Sequence, residues 1–502
     1  MTNLAPDFAL SMRPAGWGEN MEPTNKDDRG FFTQISGFQR AFWMLNVMEM
    51  LERLAYYGVR VVIPIYIAQA DEINGLHFSQ VDKGIIFLWW AIVQSLVPLF
   101  SGGFADRYGY KKTISASIVL KMAGYLLMAT QREFYPFLFG CCVLAFGTAI
   151  FKPGIQGSLV QTLTKKNSSV GWGVFYMLVN IGGFLGPPLA HFLYGVSWPM
   201  VFYGCAVIVS LNFLTMLTYK EIHPGGEQRG GPVEVMRLTF RNIIKPRLFV
   251  FILIMSGFWL MFMQLFDMLP NFIVDWVDSS GMVRDLHLPS WMTNETSRGI
   301  QITQEWLINA NAGLIILAVV FLSWVVSRMR RLHSILLGVM ISSVGLVLAG
   351  FTMSGYFCLF GILVFSVGEM LASPKMNEYL GVIAPEGQKG LYMGYANIPL
   401  AIGWGYGSLR GGQVYEQMGD KANLALRYFA EHLNITNGID RTEAVAKLQE
   451  AMNLNGTEIT RLLWDTYHPY TLWYQFAAMG VLSAIGMFFY GRAARKWEAP
   501  DI

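Results

Sequence analysis

The feature that most constrains this chain is a series of twelve apolar runs, each near the ~20 residues a helix needs to cross a hydrocarbon layer. They lie near 41–69, 84–104, 112–130, 134–160, 172–194 and 198–219, then 247–275, 304–326, 333–352, 355–375, 391–412 and 469–491. A charged break at 220–246 divides them into six and six. Hydrocarbon offers no partner to a free backbone amide, so runs of this length form helices. The pattern predicts an all-α membrane protein of about twelve transmembrane helices in two six-helix, pseudo-symmetric halves, with the working site between the halves.

Composition agrees. Hydrophobic residues make up 53% of the 502 and charged residues 14%, against ~25% charged in an ordinary soluble domain. The net charge of +3 gives no basic footprint for nucleic acid. Cys141, Cys142, Cys205 and Cys358 sit inside apolar runs without metal-ligand spacing, so they read as packing residues and no metal or cofactor is expected. Residues 1–38 are polar and carry Pro6, Pro14 and Pro23, which is not the pattern of a signal peptide.

Lysine and arginine placement orients the chain. With the N-terminus inside, the inner loops hold Arg107, Lys111 and Lys112, then Lys165 and Lys166, then Arg328, Arg330 and Arg331. The linker adds Lys220, Arg229, Arg237, Arg241 and Lys245, and the tail adds Arg492, Arg495 and Lys496. The opposite loops at 195–197 and 353–354 carry no charge. The reading is a plasma-membrane protein with both termini cytoplasmic, working as a monomer in the lipid bilayer. It divides into a tail at 1–38, a half at 39–219, a linker at 220–246, a half at 247–492 and a tail at 493–502. Two outer insertions, 276–303 and 413–468, interrupt the second half. In the longer one, Asp440 with Glu443 and Asn455 with Glu458 have capping-box spacing, which predicts two short helices. Asn294, Asn434 and Asn455 each head an N-x-T sequon on the outer side.

Charges inside spans are costly and mark function. The first span is the densest. Glu49, Glu52, Arg53, Tyr56 and Arg60 fall within roughly 100° of helical arc and extend over about 16 Å. Such a stripe cannot face lipid. An ion-pair ladder is one reading, since Glu49 and Arg53 are an i,i+4 pair. The functional reading gives Arg53 a planar fork for a substrate carboxylate and makes the desolvated, neighbouring Glu49 and Glu52 proton carriers. Lys152, in the fourth span before Pro153, reads as an anion partner or as a lysine snorkelling to the surface. Glu369, in the tenth, reads as a functional acid or one satisfied by helix packing. Asp267, in the seventh, reads as an acid solvated at the outer mouth or as a functional one.

The loop Gly102, Asp106, Arg107, Gly109, Lys111 and Lys112 resembles the signature loop of the major facilitator superfamily. Glu49-x-x-Glu52-Arg53, followed by Tyr56-Tyr57-Gly58, resembles the proton-dependent oligopeptide transporter family. Phe151-Lys152-Pro153, Phe175-Tyr176 with Asn180 and Gly182, Phe258-Trp259 with Phe262 and Gln264, and Gly368-Glu369 with Ser373-Pro374 are similar to further motifs of that family. The resemblance implies the major facilitator fold. It places Arg53 and Lys152 at a peptide carboxylate, Glu369 at the amino group and in proton coupling, and Glu49 and Glu52 in proton coupling. Tyr56, Tyr57, Arg60, Asn180 and Trp259 match positions in or near the pocket. The chain departs from the pattern at four places. Met263 stands where the family has a seventh-span acid, Ala396 where it has a tryptophan, and Gly154 where it has an asparagine, while Lys375 adds a charge. Asp267 lies one turn beyond Met263.

The leading reading is a secondary active transporter: proton-coupled symport of di- or tripeptides or peptide-like metabolites by alternating access. A symporter or facilitator for another carboxylate or anionic solute is the alternative within transport. A non-transporting sensor on the same fold is the alternative outside it. The sequence has no nucleophile elbow, P-loop or histidine-rich metal set, so it is not read as an enzyme.

Overall fold

The computed structural model describes residues 37–99, 108–164, 167–220, 232–385 and 389–494, with Ile35, Ser101 and Ala105. Gly102, Asp106, Arg107, Lys165, Lys166, Arg229, Arg495 and Lys496 lie outside the described residues, as does nearly all of the 1–38 tail.

The first half is α1 (Arg40–Ala68), α2 (Gln80–Leu96), α3 (Tyr110–Thr130), α4 (Phe134–Thr162), α5 (Ser168–Tyr194) and α6 (Trp198–Leu217). A linker helix follows, α7 (Pro232–Ile243). The seventh span is in three pieces, α8 (Pro246–Phe262), α9 (Gln264–Asp267) and α10 (Leu269–Trp276). After α11 (Ser280–Leu286) come α12 (Gln304–Ser327), α13 (Arg331–Gly350), α14 (Gly355–Ile383), and the eleventh span as α15 (Lys389–Gly394) and α16 (Asn397–Met418). Helices α17 (Lys421–His432), α18 (Ala444–Met452) and α19 (Gly456–Tyr467) precede the last span, α20 (Leu472–Ala494). Strands β1 (Thr293–Thr296) and β2 (Gly299–Ile302) form an antiparallel hairpin in the shorter insertion, Thr293 opposite Ile302.

Local chemistry sets these boundaries. Ser79 caps α2 in a reciprocal capping box with Asp82. Gly109 stands before α3 at φ 96°, a conformation that glycine adopts without strain. Pro246 starts α8, where its missing N–H costs nothing. Asn455 and Glu458 form the capping box anticipated for α19. Asp440 instead caps a single 3-10 turn, and the insertion holds three α-helices where capping spacing predicted two.

Among the described residues, eight helices are long and apolar enough to span a membrane by themselves. Helices α1, α2, α12 and α15–α16 complete the twelve. Helix α1 is set apart by the charges it carries within its apolar run, Arg40, Glu49, Glu52, Arg53 and Arg60. Large apolar side chains such as Leu217, Leu317 and Phe321 stay exposed on the outside of the bundle, as a lipid-facing surface requires.

Within the first half α1 packs on α5 and α6, and α3 on α4 and α6; within the second, α13 packs on α14 and α20, and α8 on α16 and α20. The halves meet where α2 packs on α16 and α5 on α12. Glycine permits the first of these contacts. A Cβ on Gly84 would lie 2.6 Å from the Ser408 carbonyl oxygen, and one on Gly412 would lie 2.3 Å from that of Gln80.

Candidate substrate and proton site

The end of the bundle that carries the insertions is closed by bonds between the halves. Arg60, on α1, pairs with Asp267 on α9 and donates from Nη1 to the Phe266 carbonyl at 3.3 Å. That carbonyl is free because Pro270, four residues on, has no N–H to give it. Asp267 also accepts from Ser408 Oγ at 2.5 Å. The Arg60 guanidinium lies over the Phe87 and Trp404 rings, 4.7 and 5.3 Å from their centroids. Lys83 Nζ donates to Asn271 Oδ1 at 2.7 Å, and Gln69 Nε2 to Asp275 Oδ1 at 2.8 Å. The long insertion takes part: Arg441 donates to the Ala68 carbonyl at 2.8 Å and to Asp420 at 2.5 Å, while Gln80 Nε2 reaches Asp420 at 2.9 Å.

Further along α1 the charged stripe turns inward. Arg53 holds both glutamates, with Nε donating to Glu52 Oε2 at 2.5 Å and lying 3.3 Å from Glu49 Oε1. All three are buried. Its guanidinium also lies 5.0 Å from the centre of the Tyr56 ring, whose hydroxyl accepts from Gln94 Nε2 at 3.0 Å. Lys121, from α3, places Nζ 3.5 Å from Glu52 Oε1 and 3.7 Å from the centre of the Phe151 ring. Lys152, from α4, has an exposed side chain, and its charged neighbours are Arg53, Glu49 and Glu52. With both glutamates ionised, two acids and three cations leave a formal charge of +1 here.

The second half faces this cluster with an acid. Glu369, on α14, accepts from Asn311 Nδ2 at 3.0 Å, and the same amide nitrogen lies 2.9 Å from Ser366 Oγ. Glu369, Tyr176, Ser373 and Pro374 line a cavity of about 60 Å³. Tyr57 and Tyr176 of the first half are its electrostatic neighbours. Asn180 donates to the Tyr176 carbonyl at 2.7 Å, within its own helix. Trp259 stands edge-on to Phe262, with centroids 5.0 Å apart, and its indole N–H has no hydrogen-bond partner among the described residues.

The structure therefore brings Glu49, Glu52, Arg53, Tyr56 and Lys152 together, with Tyr57 beside Tyr56 and, like Tyr176, an electrostatic neighbour of Glu369 on the second half, while Asn180 bonds within its own helix. Arg60 lies apart from them, engaged at the closed end. One correction concerns Asp267: the solvated reading fails, because the side chain is 2% exposed and paired. Sequence reasoning also passed over Lys121, although a lysine amid Ile118, Leu120 and Met122 is as conspicuous as Lys152. Pro270, the residue that explains the free Phe266 carbonyl, was equally visible.

The family profile described as "Major Facilitator Superfamily" matches residues 45–408. The multidrug resistance protein MdtH of Salmonella paratyphi C (strain RKS4594) is 23% identical over 375 residues, covering 74% of this chain and 86% of MdtH. The uncharacterized transporter YclF of Bacillus subtilis (strain 168) is 30% identical over 165 residues, 32% of each chain. Among solved structures, the POT family transporter PepTSo aligns with TM-score 0.65 at 16% identity, covering 91% of this chain and 99% of that one. A POT family transporter in complex with 5-aminolevulinic acid aligns with TM-score 0.62 at 15% identity, covering 88% and 98%. At such identities the likeness speaks for the fold, which is the one expected from the sequence. The match over residues 45–408 places the chain in the major facilitator superfamily, as a multi-pass membrane transporter rather than an enzyme.

Proposed function

We propose that this transporter couples inward proton movement to uptake of a small peptide-like solute carrying both a carboxylate and an amine. The observation that carries the reading is the placement of charge on the two halves. Arg53 and Lys152, with Lys121 behind them, stand on one half, and Glu369 stands on the other. Arg53 and Lys152 bind the carboxylate, and Glu369 receives the ammonium. Tyr56, Tyr57, Asn180 and Trp259 shape the space between them.

Coupling follows from charge. Protonating one α1 glutamate raises the formal charge beside the substrate carboxylate from +1 to +2, so proton and anion favour each other's binding. Release of both on the cytoplasmic side completes one inward step. The closed end, with its insertions, is assigned to the outside, and both termini to the cytoplasm. Outward opening then requires Arg60 to leave Asp267 and Arg441 to leave Ala68, which makes these contacts the outer gate.

Competition in proteoliposomes tests the reading. A panel of dipeptides, amino-blocked dipeptides, simple organic acids and lipophilic cations competes with a labelled dipeptide. Inhibition by free dipeptides above all supports it. Inhibition by organic acids alone reassigns the substrate to another anionic solute. Inhibition by lipophilic cations alone, as the name of the MdtH relatives would suggest for those proteins, contradicts it.

A further inference from the structure

We propose that Lys121 is a positioning residue which holds Glu52 as a fixed anion, so that the mobile proton is carried by Glu49. This rests on the symport reading above, but its chemistry is local to three helices.

The two glutamates have different surroundings. Glu52 is gripped from two sides: Arg53 holds Oε2, and Lys121 approaches Oε1 from α3. Among the described residues Glu49 is ion-paired with Arg53 alone, at 3.3 Å; Glu49 Oε2 and Glu52 Oε1 are both buried without a hydrogen bond, but Glu52 Oε1 has the Lys121 ammonium 3.5 Å away. A buried carboxylate oxygen with neither a hydrogen bond nor a cation paired to it is the atom on which a proton relieves an unmet desolvation cost. A carboxylate between two cations gains nothing by neutralising, because both cations would then lose their counter-ion.

Lys121 is built into this place. It is 1% exposed, and its Nζ has no hydrogen-bond partner among the described residues. The ammonium lies between the Phe151 ring and Glu52. Its stem passes where α4 has Gly147: a Cβ there would come within 2.8 Å of Lys121 Cγ and 3.0 Å of its backbone nitrogen. The other titratable groups facing Glu52 are Glu49, Arg53, Tyr56 and Tyr57 on its own helix, Tyr125 on α3 and Lys152 on α4, with Cys205 of α6 beyond Tyr125. Of the cations, Arg53 is shared with Glu49, and Lys152 has an exposed side chain and forms no ion pair with Glu52 among the described residues. Lys121 alone is committed to Glu52.

Infrared difference spectra of the purified full-length protein, between acidic and alkaline buffer, read carboxyl protonation directly. The wild type should show a protonated-carboxyl band that Glu49→Gln removes and Glu52→Gln leaves in place. Lys121→Gln should add a second band, removed in turn by Glu52→Gln, and Lys121→Arg should restore the wild-type spectrum. In uptake, Lys121→Gln should move the proton concentration for half-maximal rate by about tenfold or more, with Lys121→Arg near wild type. Loss of the wild-type band in Glu52→Gln, or an unchanged spectrum in Lys121→Gln, overturns the assignment. If Lys121→Gln does not fold, the two glutamine variants in the Lys121 background still decide the matter. The spectra do not depend on transport, so substrate accumulation indifferent to protons would sink the symport reading without touching this result.

Discussion

Arg60 on the first span and Asp267 on the seventh form an ion pair across the two halves, each about 2% exposed. Removing one member of such a pair leaves the other buried and uncompensated, at a cost of about 3–5 kcal/mol. Asp267→Asn should therefore destabilise the closed end by that order and raise the share of molecules open there. Accessibility of a cysteine introduced near Ser408 to a membrane-impermeant reagent checks this. The charge-reversed double variant, Arg60→Asp with Asp267→Arg, should recover part of the closure.

The contact between α2 and α16 makes a second prediction. In Gly412→Ala the new methyl meets the backbone oxygen of Gln80 at 2.3 Å, which no rotamer change relieves. The helices must separate, and uptake should fall at least about tenfold while the protein still inserts. Wild-type uptake by Gly412→Ala would mean the closed arrangement is not part of the cycle.

Much of this was legible in the sequence because a bilayer imposes strong rules. Apolar length gave twelve spans, and the price of an intramembrane charge singled out Glu49, Glu52, Arg53, Lys152 and Glu369. What one helix cannot reveal is which partner it meets. Arg60 looked like a pocket residue because it shares the stripe of Arg53, yet two turns of rise carry it to the closed end. Asp267 looked solvated because its partner is 207 residues away. Lys121 belongs to the site only because α3 packs against α4 beside α1.

Glu369 should discriminate by amine. Glu369→Gln removes the charge that faces an ammonium but keeps the hydrogen bond from Asn311 in reach. Binding of free dipeptides should weaken by about 1.5–3 kcal/mol, the range for a charged hydrogen bond, and amino-blocked analogues should lose much less. Equal loss for both would show that Glu369 does not meet an amine.

Stability should depend on pH through Glu72, in the loop after α1. Burial pushes its carboxyl up to about 7, against the pull of a hydrogen bond from Trp198 Nε1 at 2.9 Å. Since the folded protein then holds this proton more tightly than the unfolded chain, Glu72 favours folding at low pH, and that contribution is lost as pH rises from 4.5 through about 7. Glu72→Gln should raise the thermal midpoint in alkaline buffer and change it little in acid. Thermal melts of the purified protein at several pH values read the difference.

Accumulation against a gradient tests the central claim most directly. Proteoliposomes containing the wild-type protein and given an inward proton gradient should concentrate a labelled dipeptide above the outside level. A protonophore should abolish the excess while exchange of internal for external substrate continues. Accumulation that ignores both the gradient and the protonophore would contradict the account.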